Sequence, residues 1–343
     1  IRGILMIYLI CFCITFAMLI YVLSFEKKPS ATFVLLLTVI LVSNGGYYAI
    51  SASVDLDEAI LATKVSYLAG IFGPMLIFFI VAHICKIHIP GFAKCIMHTV
   101  QGLLYMAVLT AGQLGVFYQS VEYNKGPHGA YLTKVYGPLH TVYLISMIFY
   151  MLATVVAAFY SLNKKSVVSR INVQIILLAM ALIMSLYMVE RIAHLQIELL
   201  PMGMIVGLTI MITPLRKITD YSIDNIHSNI DDIIQKTGYI IFNQNLLFMG
   251  SNIYATDLFP ELNEWELEEK IPGNGGRFNT FLRQPLMEYV KENDHEKIED
   301  STFSYKGSTY RYQIGFLYSG RNRHIGYVIR VYDMTNIVRK TTG

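Results

Sequence analysis

Long apolar segments fill the first two thirds of this chain and leave it few ways to fold. A helix needs about 20 apolar residues to cross the hydrocarbon core of a bilayer. Seven runs without Asp, Glu, Lys or Arg come close to that length or exceed it: Ile4–Ser24, Ala31–Val54, Val65–Cys85, Cys95–Val121, Pro138–Asn163, Ile171–Val189 and Leu199–Leu215. Because lipid offers backbone groups no hydrogen-bonding partner, we expect a membrane all-α bundle of seven helices.

Charge divides the chain near Leu215. Up to that residue the chain holds 12 Lys and Arg against 7 Asp and Glu, whereas from Arg216 onward it holds 15 against 17. We therefore expect a membrane domain over residues 1–217, a linker over 218–237 and a polar globular domain over 238–343. The basic residues lie in membrane loops or are balanced by acids, so nucleic acid is not an expected partner.

Basic residues in the short loops predict the direction of the spans, because Lys and Arg stay on the cytoplasmic side during insertion. One set of loops holds nine of them, and the opposite set holds five. The nine are Lys27, Lys28, Lys86, Lys94, Lys164, Lys165, Arg170, Arg216 and Lys217, and the five are Arg2, Lys64, Lys125, Lys134 and Arg191. We expect a multi-pass plasma-membrane protein with its amino terminus outside and its carboxy-terminal domain in the cytosol.

An amphipathic helix is predicted over Ile218–Lys236, directly after the last span. Its apolar residues recur at three- and four-residue steps: Ile223, Ile226, Ile230, Ile233 and Ile234. Such a helix would either pair with its twin in a homodimer or pack on its own domain. Two or three heptads are too few to decide between these alternatives.

The residues beyond this linker alternate between strand-like and helical patterns. A hairpin turning at Asn243–Asn245 is followed by helices near Tyr254–Leu262 and Phe278–Asn293. Three further strands are expected over Lys297–Tyr305, Ser308–Tyr318 and His324–Tyr332. Together these elements predict an α+β domain with a five-stranded antiparallel sheet and helices on one face.

This order of elements, together with the ending Val331-Tyr-Asp-Met-Thr-Asn336, resembles a PAS domain. The resemblance covers about Ile230–Lys340, and the entry Asp231–Phe242 is similar to the family's helix, small residue and apolar strand. It implies a sensory or relay role leading into an output helix. No residue typical of haem or flavin binding stands out, so we expect no cofactor.

The membrane part resembles the amino-terminal seven-helix domain of many bacterial histidine kinases and diguanylate cyclases. The residues that carry this resemblance are Ser53–Ala59 before the third span, Leu199–Gly203 at the start of the seventh and Ile212–Arg216 at its end. The resemblance covers about Leu5–Asp220 and implies the sensory part of a signalling protein, such as a two-component system. The chain carries no motif of a catalytic site, so we expect no enzyme activity from it.

Polar and ionisable groups in membrane helices are costly unless paired or hydrated, which makes them the first candidates for a ligand site. Several such groups are predicted at a similar depth near the outer surface, where they would line a pocket for a small molecule. The candidates are Asn44, Tyr47, Tyr48, Lys64, Tyr67, Tyr187, Glu190, Arg191, His194 and Glu198. The alternative is a set of interfacial anchors and loop salt bridges, since Tyr concentrates at membrane surfaces.

The longest outer loop, Gln119–Gly137, is interpreted either as a lid over this pocket or as an ordinary connection. His83, His88 and His98 show no metal-ligand spacing, so no metal is expected.

A ligand receptor is the function that these patterns favour, and two alternatives remain. A membrane transporter would place charged groups near the bilayer midplane in repeated, broken helices. A dimerising scaffold would position an output domain without any ligand. A retinal pigment is disfavoured because the seventh span contains no lysine.

Overall fold

The structure of this chain is a computed structural model that describes residues 2–25, 29–85, 87–126, 129–162, 170–193, 197–220, 237–273, 276–292, 299–318 and 323–335. The chain divides into two compact units. The first contains Ile1–Ser161 and Asn172–Leu215, and the second contains Leu162–Ile171 and Arg216–Gly343.

Seven helices and one hairpin make up the described part of the first unit. The helices are α1 (Arg2–Phe25), α2 (Ala31–Ala52), α3 (Leu56–Ile84), α4 (Gly91–Leu109), α5 (Pro138–Leu162), α6 (Arg170–Ile192) and α7 (Leu200–Asp220). The first six are long and apolar enough to cross a membrane, while the apolar part of α7, Leu200–Ile212, is shorter. The chain is thus a multi-pass membrane protein.

Helix α3 begins earlier than the apolar pattern predicts, at Leu56 rather than Val65. The Asp55 carboxylate accepts a hydrogen bond from the Glu58 N–H at 2.9 Å, and the Glu58 carboxylate accepts one from the Val54 N–H at 3.0 Å. This reciprocal pair satisfies backbone donors that the first helical turn leaves without partners. The polar residues before the third span are therefore its first turns and not a loop.

The prediction of a fourth span over Cys95–Val121 is wrong at its end. Helix α4 stops at Leu109, and the chain turns at Gly112, whose φ of 81° lies in the left-handed region. Strands β1 (Tyr118–Gly126) and β2 (Gly129–Tyr136) then form an antiparallel hairpin. After the turn, Leu114 and Val116 are exposed, while Phe117 and Tyr118 are buried by protein. Phe117 is 0% exposed and belongs to a cluster with Val108 and Tyr143.

The hairpin lies against the carboxy-terminal end of α2. The Tyr123 hydroxyl donates to the Ser53 carbonyl at 2.7 Å, and a Cβ on Gly129 would lie 2.4 Å from the Ser51 hydroxyl. We call this end of the helix bundle the hairpin end. The predicted loop Gln119–Gly137 is thus a packed β-hairpin.

Small residues bring neighbouring helices into close contact, as expected where packing rather than hydrophobicity drives association. Between α2 and α3, the Ala69 N–H donates to the Ser43 hydroxyl at 2.7 Å, and Gly46 faces the backbone of Ser66. Between α6 and α7, a Cβ on Gly207 would lie 2.4 Å from Ile183, and one on Gly203 would lie 3.1 Å from Leu186.

Substituting Gly46 tests the α2–α3 contact. In Gly46→Ala the new Cβ would lie 2.6 Å from the Ser66 backbone nitrogen, so the helices must separate. We expect a loss of about 1–3 kcal/mol, seen as a lower melting temperature in detergent. Gly45→Ala is the matched control, because its Cβ would sit 3.5 Å from the Phe12 ring, an ordinary contact. Equal melting temperatures for the two variants would contradict this packing.

A five-stranded antiparallel sheet organises the second unit. Its strands are β3 (Thr237–Asn243), β4 (Phe248–Ser251), β5 (Glu299–Tyr305), β6 (Ser308–Tyr318) and β7 (His324–Asp333). They lie in the order β4-β3-β7-β6-β5, so the first strand of this domain pairs with the last. The connection between β4 and β5 contains α8 (Ile253–Leu258), a 3-10 turn (Pro260–Glu264) and α9 (Gly276–Glu292). The predicted five-stranded antiparallel sheet, the turn near Asn243–Asn245 and the two helical stretches are confirmed.

Aromatic side chains fill the space between the sheet and the helices of this domain. Phe248 meets Trp265 edge to face with ring centroids 5.2 Å apart, and Phe259 stacks on Phe278 at 4.6 Å. Asn252 joins the two layers, because its side chain accepts from the N–H groups of Tyr239 and Ala255 at 2.9 Å each. The same amide donates to the Thr237 carbonyl at 2.8 Å.

The predicted amphipathic helix Ile218–Lys236 overlaps α7 at its first residues. The remainder, 221–236, lies outside the described residues, as does the prediction of a dimer that depends on it.

Candidate functional site

The start of α7 is the place where most elements of the first unit meet. The helix opens with Leu200-Pro201, and proline suits a first turn because it lacks the N–H that would have no helical partner there. The other backbone donors at this end still require acceptors. Side chains from α1 and α6 contact the residues just before the helix, and a side chain from β2 contacts Glu198.

Tyr8 of α1 holds the backbone of Glu198 with a single hydroxyl. The hydroxyl donates to the Glu198 carbonyl at 3.1 Å and accepts from the Glu198 N–H at 3.0 Å. The carboxylate of Glu190, near the end of α6, accepts from the Leu199 N–H at 2.8 Å. A carboxylate at this position also complements the positive end of the α7 dipole.

Lys134 of the hairpin forms an ion pair with the Glu198 carboxylate, with 3.2 Å between Nζ and Oε1. The Lys134 side chain is 10% exposed and that of Glu198 is 31% exposed. Removing one partner of a buried ion pair costs about 3–5 kcal/mol, because the other charge is left without compensation. The hairpin is therefore tied electrostatically to the residue that precedes α7.

Burial alone would lower the pKa of Lys134, but nearby groups outweigh it. The Glu198 carboxylate stabilises the ammonium and raises its pKa above the usual value. Lys134 therefore remains charged at every physiological pH. Burial raises the pKa of Tyr118 to about 12, so its phenol stays protonated.

We define the α7-start cluster as Tyr8, Tyr47, Lys134, Glu190 and Glu198. Tyr47 of α2 is 7% exposed and joins the cluster through Tyr8, with 6.3 Å between the ring centroids. Five separate segments of the chain thus contribute to one site at the hairpin end. Two carboxylates and one ammonium within it are partly or fully removed from water.

An aromatic cluster adjoins this site through Tyr118 and Tyr136. The Tyr118 hydroxyl donates to the Tyr67 hydroxyl at 2.7 Å. Tyr136 stacks on His140 with ring centroids 3.9 Å apart, and Tyr67 meets Phe117 edge to face at 5.2 Å. These rings pack the base of the hairpin against α3 and α5. They therefore help to fix the position of the strand that carries Lys134.

The structure brings together only some of the predicted site residues. Tyr47, Glu190 and Glu198 lie in the α7-start cluster, whereas Tyr67 lies in the aromatic cluster. Asn44 is fully buried beside α1, where its amide donates to the Thr15 hydroxyl at 2.9 Å.

The other predicted residues contribute less to a common site. Tyr48, Lys64 and Tyr187 are half-buried. The Lys64 backbone carbonyl accepts from the Tyr105 hydroxyl at 3.2 Å. Arg191 belongs to α6, but its side chain lies outside the described part of the chain, as does all of His194. The pocket as a whole stays a prediction.

Sequence reasoning missed two members of the cluster. Lys134 counted only as a loop charge, because a hairpin that folds back onto the helices leaves no periodic signal in an apolar protein. Tyr8 was one of 24 tyrosines in the chain and lay in the first span, far from Glu198 in sequence. One signal for Lys134 was available in the sequence. Leu132, Lys134 and Tyr136 are spaced two residues apart, which places them on one face of a strand.

The role of Tyr8 can be tested by removing its hydroxyl. Tyr8→Phe leaves the N–H and the carbonyl of Glu198 without their partner, which we expect to cost about 1–3 kcal/mol. The measurement is the melting temperature in nanodiscs. Tyr48→Phe is the control, since the Tyr48 hydroxyl has no hydrogen bond to another residue that the structure describes. A Tyr8→Phe protein as stable as the control would show that the contact is not stabilising.

Comparison with known proteins identifies the first unit. The family model described as "N-terminal 7TM region of histidine kinase" matches residues 7–217. A solved structure described as the sensor region of a sensor histidine kinase is similar to part of this chain, with 10% sequence identity and a TM-score of 0.24. That similarity covers 39% of this chain and 53% of the other, so the chain spans about half the length of that structure. No curated protein matches the sequence.

Proposed function

This chain belongs to the family of N-terminal 7TM regions of histidine kinases, and on that premise we propose that it binds a small ligand at its hairpin end and relays the event through α7. The matched region is the sensory part of these kinases and is not itself catalytic. One observation carries the proposal. Tyr8, Lys134 and Glu190 come from three different elements, and all hold the two residues that precede α7. A ligand that binds better to one arrangement of these contacts than to another would shift α7 between two positions.

The carboxy-terminal domain is proposed as a PAS-like relay. Its sheet order and the two helical stretches between β4 and β5 support this reading. Its core is filled by stacked rings such as Phe259 and Phe278, which favours a mechanical role over a cofactor site. The output that it would control is the activity of a histidine kinase or, as the second candidate, a diguanylate cyclase. We also propose that the protein acts as a homodimer.

The relay requires the two ends of α7 to act on different sides of the membrane. From the distribution of basic residues we propose that the hairpin lies outside the cell and the sheet domain lies in the cytosol. A cysteine at the exposed Lys125 position (Lys125→Cys) should react with an impermeant maleimide in intact cells. A cysteine at the exposed Ser304 position (Ser304→Cys) should react only after permeabilisation.

The parent protein is the background control for this labelling, because it already carries exposed cysteines at Cys13 and Cys95. Labelling of both introduced cysteines in intact cells, or of neither, would contradict the proposed orientation.

The relay itself predicts that a change at the start of α7 alters the sheet domain. In vesicles, we expect Tyr8→Phe to change the amide hydrogen exchange of β3 at least about threefold, because the position of α7 becomes less restricted. Tyr48→Phe should leave the exchange of β3 at the wild-type rate. If Tyr8→Phe accelerates exchange in the first turn of α7 and leaves β3 unchanged, the two units are not coupled and the relay is wrong.

A further inference from the structure

The ammonium of Lys134 has more hydrogen-bonding capacity than the described residues use. An ammonium carries three donors. Among the residues that the structure describes, its hydrogen-bond acceptor is a single carboxylate oxygen of Glu198 at 3.2 Å. The side chain is nine-tenths buried, so bulk water does not freely supply the remaining acceptors. A buried cation with one acceptor leaves polar capacity that a bound molecule can satisfy.

The carboxylates of the same cluster, by contrast, already have donors. Glu198 already faces the ammonium of Lys134, and Glu190 accepts the Leu199 N–H. A cationic ligand would have to compete with Lys134 for Glu198 and push a buried ammonium away from its counter-charge, which is strongly unfavourable. What the cluster lacks is therefore an acceptor and not a second donor.

The two partners of the ion pair also differ in their freedom to move. Lys134 is fixed in β2 by the hairpin register, where it pairs with Val121, and its side chain is 10% exposed. The Glu198 side chain is 31% exposed, so its carboxylate reaches the edge of the site. If the pair is exchanged, the carboxylate can be solvated far more readily than the ammonium.

We propose that the α7-start cluster recognises the carboxylate of a small anionic ligand, which replaces the Glu198 carboxylate on Lys134. The inference rests on the proposed receptor function and names the chemical class of its ligand. Charge balances in the exchange, since one carboxylate leaves the ammonium and another takes its place. The exchange frees Glu198, the residue just before α7, from the hairpin, and so links occupancy of the site to the position of the output helix.

The experiment uses acetate as the probe, at constant ionic strength, with the whole chain in nanodiscs. In wild-type protein Glu198 competes with acetate from within the molecule, at an effective concentration in the millimolar range or above. We expect Glu198→Ala to melt at a lower temperature than wild type and to be restored by acetate. Its apparent affinity for acetate should exceed that of wild type by at least about tenfold. Neutral acetamide and cationic methylammonium should have no such effect.

Two lysine variants test whether acetate binds at Lys134. Lys134→Met should abolish the stabilisation by acetate, while Lys125→Met, which removes an exposed charge from the same hairpin, should preserve it. Glu198→Gln serves as a near-isosteric second variant if Glu198→Ala does not fold, with the same order of affinities expected. An acetate response that survives in Lys134→Met, or stabilisation by methylammonium in place of acetate, would overturn the assignment.

Hydrogen exchange in the same samples separates this inference from the receptor proposal. Acetate binding at Lys134 that speeds exchange in the first turn of α7 and leaves β3 unchanged supports the carboxylate site and refutes the relay. Altered exchange of β3 in Tyr8→Phe together with no acetate response in any variant supports the relay and refutes the carboxylate site.

Discussion

The absence of water in the bilayer core governs the first unit of this protein. A backbone in lipid must satisfy its own hydrogen bonds, so the chain crosses as helices and places polar side chains only where partners exist. Thr15 and Thr154 are both fully buried, and their hydroxyl groups donate to backbone carbonyls four residues earlier. Other polar groups find partners on neighbouring helices, as Asn44 does with Thr15, or meet where the helices end, as Glu190 does with the Leu199 N–H. The α7-start cluster follows from this constraint, because the turn before α7 exposes backbone groups that only neighbouring side chains can satisfy.

Lys134 gives the cluster its electrostatic character. A charged side chain with one tenth of its surface exposed requires a counter-charge, and Glu198 provides it from the end of the segment that precedes α7. The aromatic rings around Tyr67 and Tyr118 hold the hairpin in the position that this pairing requires. The same pair thus ties the hairpin to the residue that precedes α7.

Several features were predictable because their signals are local. Apolar runs identified the helices, turn residues located Asn243–Asn245, and alternation predicted the strands of the sheet. The end of α4 was not predictable in this way. The stretch after Gly112 carries no charge, and its buried Phe117 and Tyr118 pack against other protein segments, which hydropathy does not distinguish from lipid. The pairing of Tyr8 with Glu198, 190 positions apart, has no local signal at all.

By itself the sequence determined that this chain is a multi-pass membrane protein with a separate α+β domain, because length and periodicity of apolar residues depend only on neighbours along the chain. Tertiary structure alone decided which polar residues form a site. It placed Tyr47 beside Tyr8 and Tyr67 beside Phe117, and it added Tyr8 and Lys134 to the site. The reason is that a binding site depends on distances between elements, and these are fixed by packing contacts such as Gly46 against Ser66, where tenths of an ångström decide the approach.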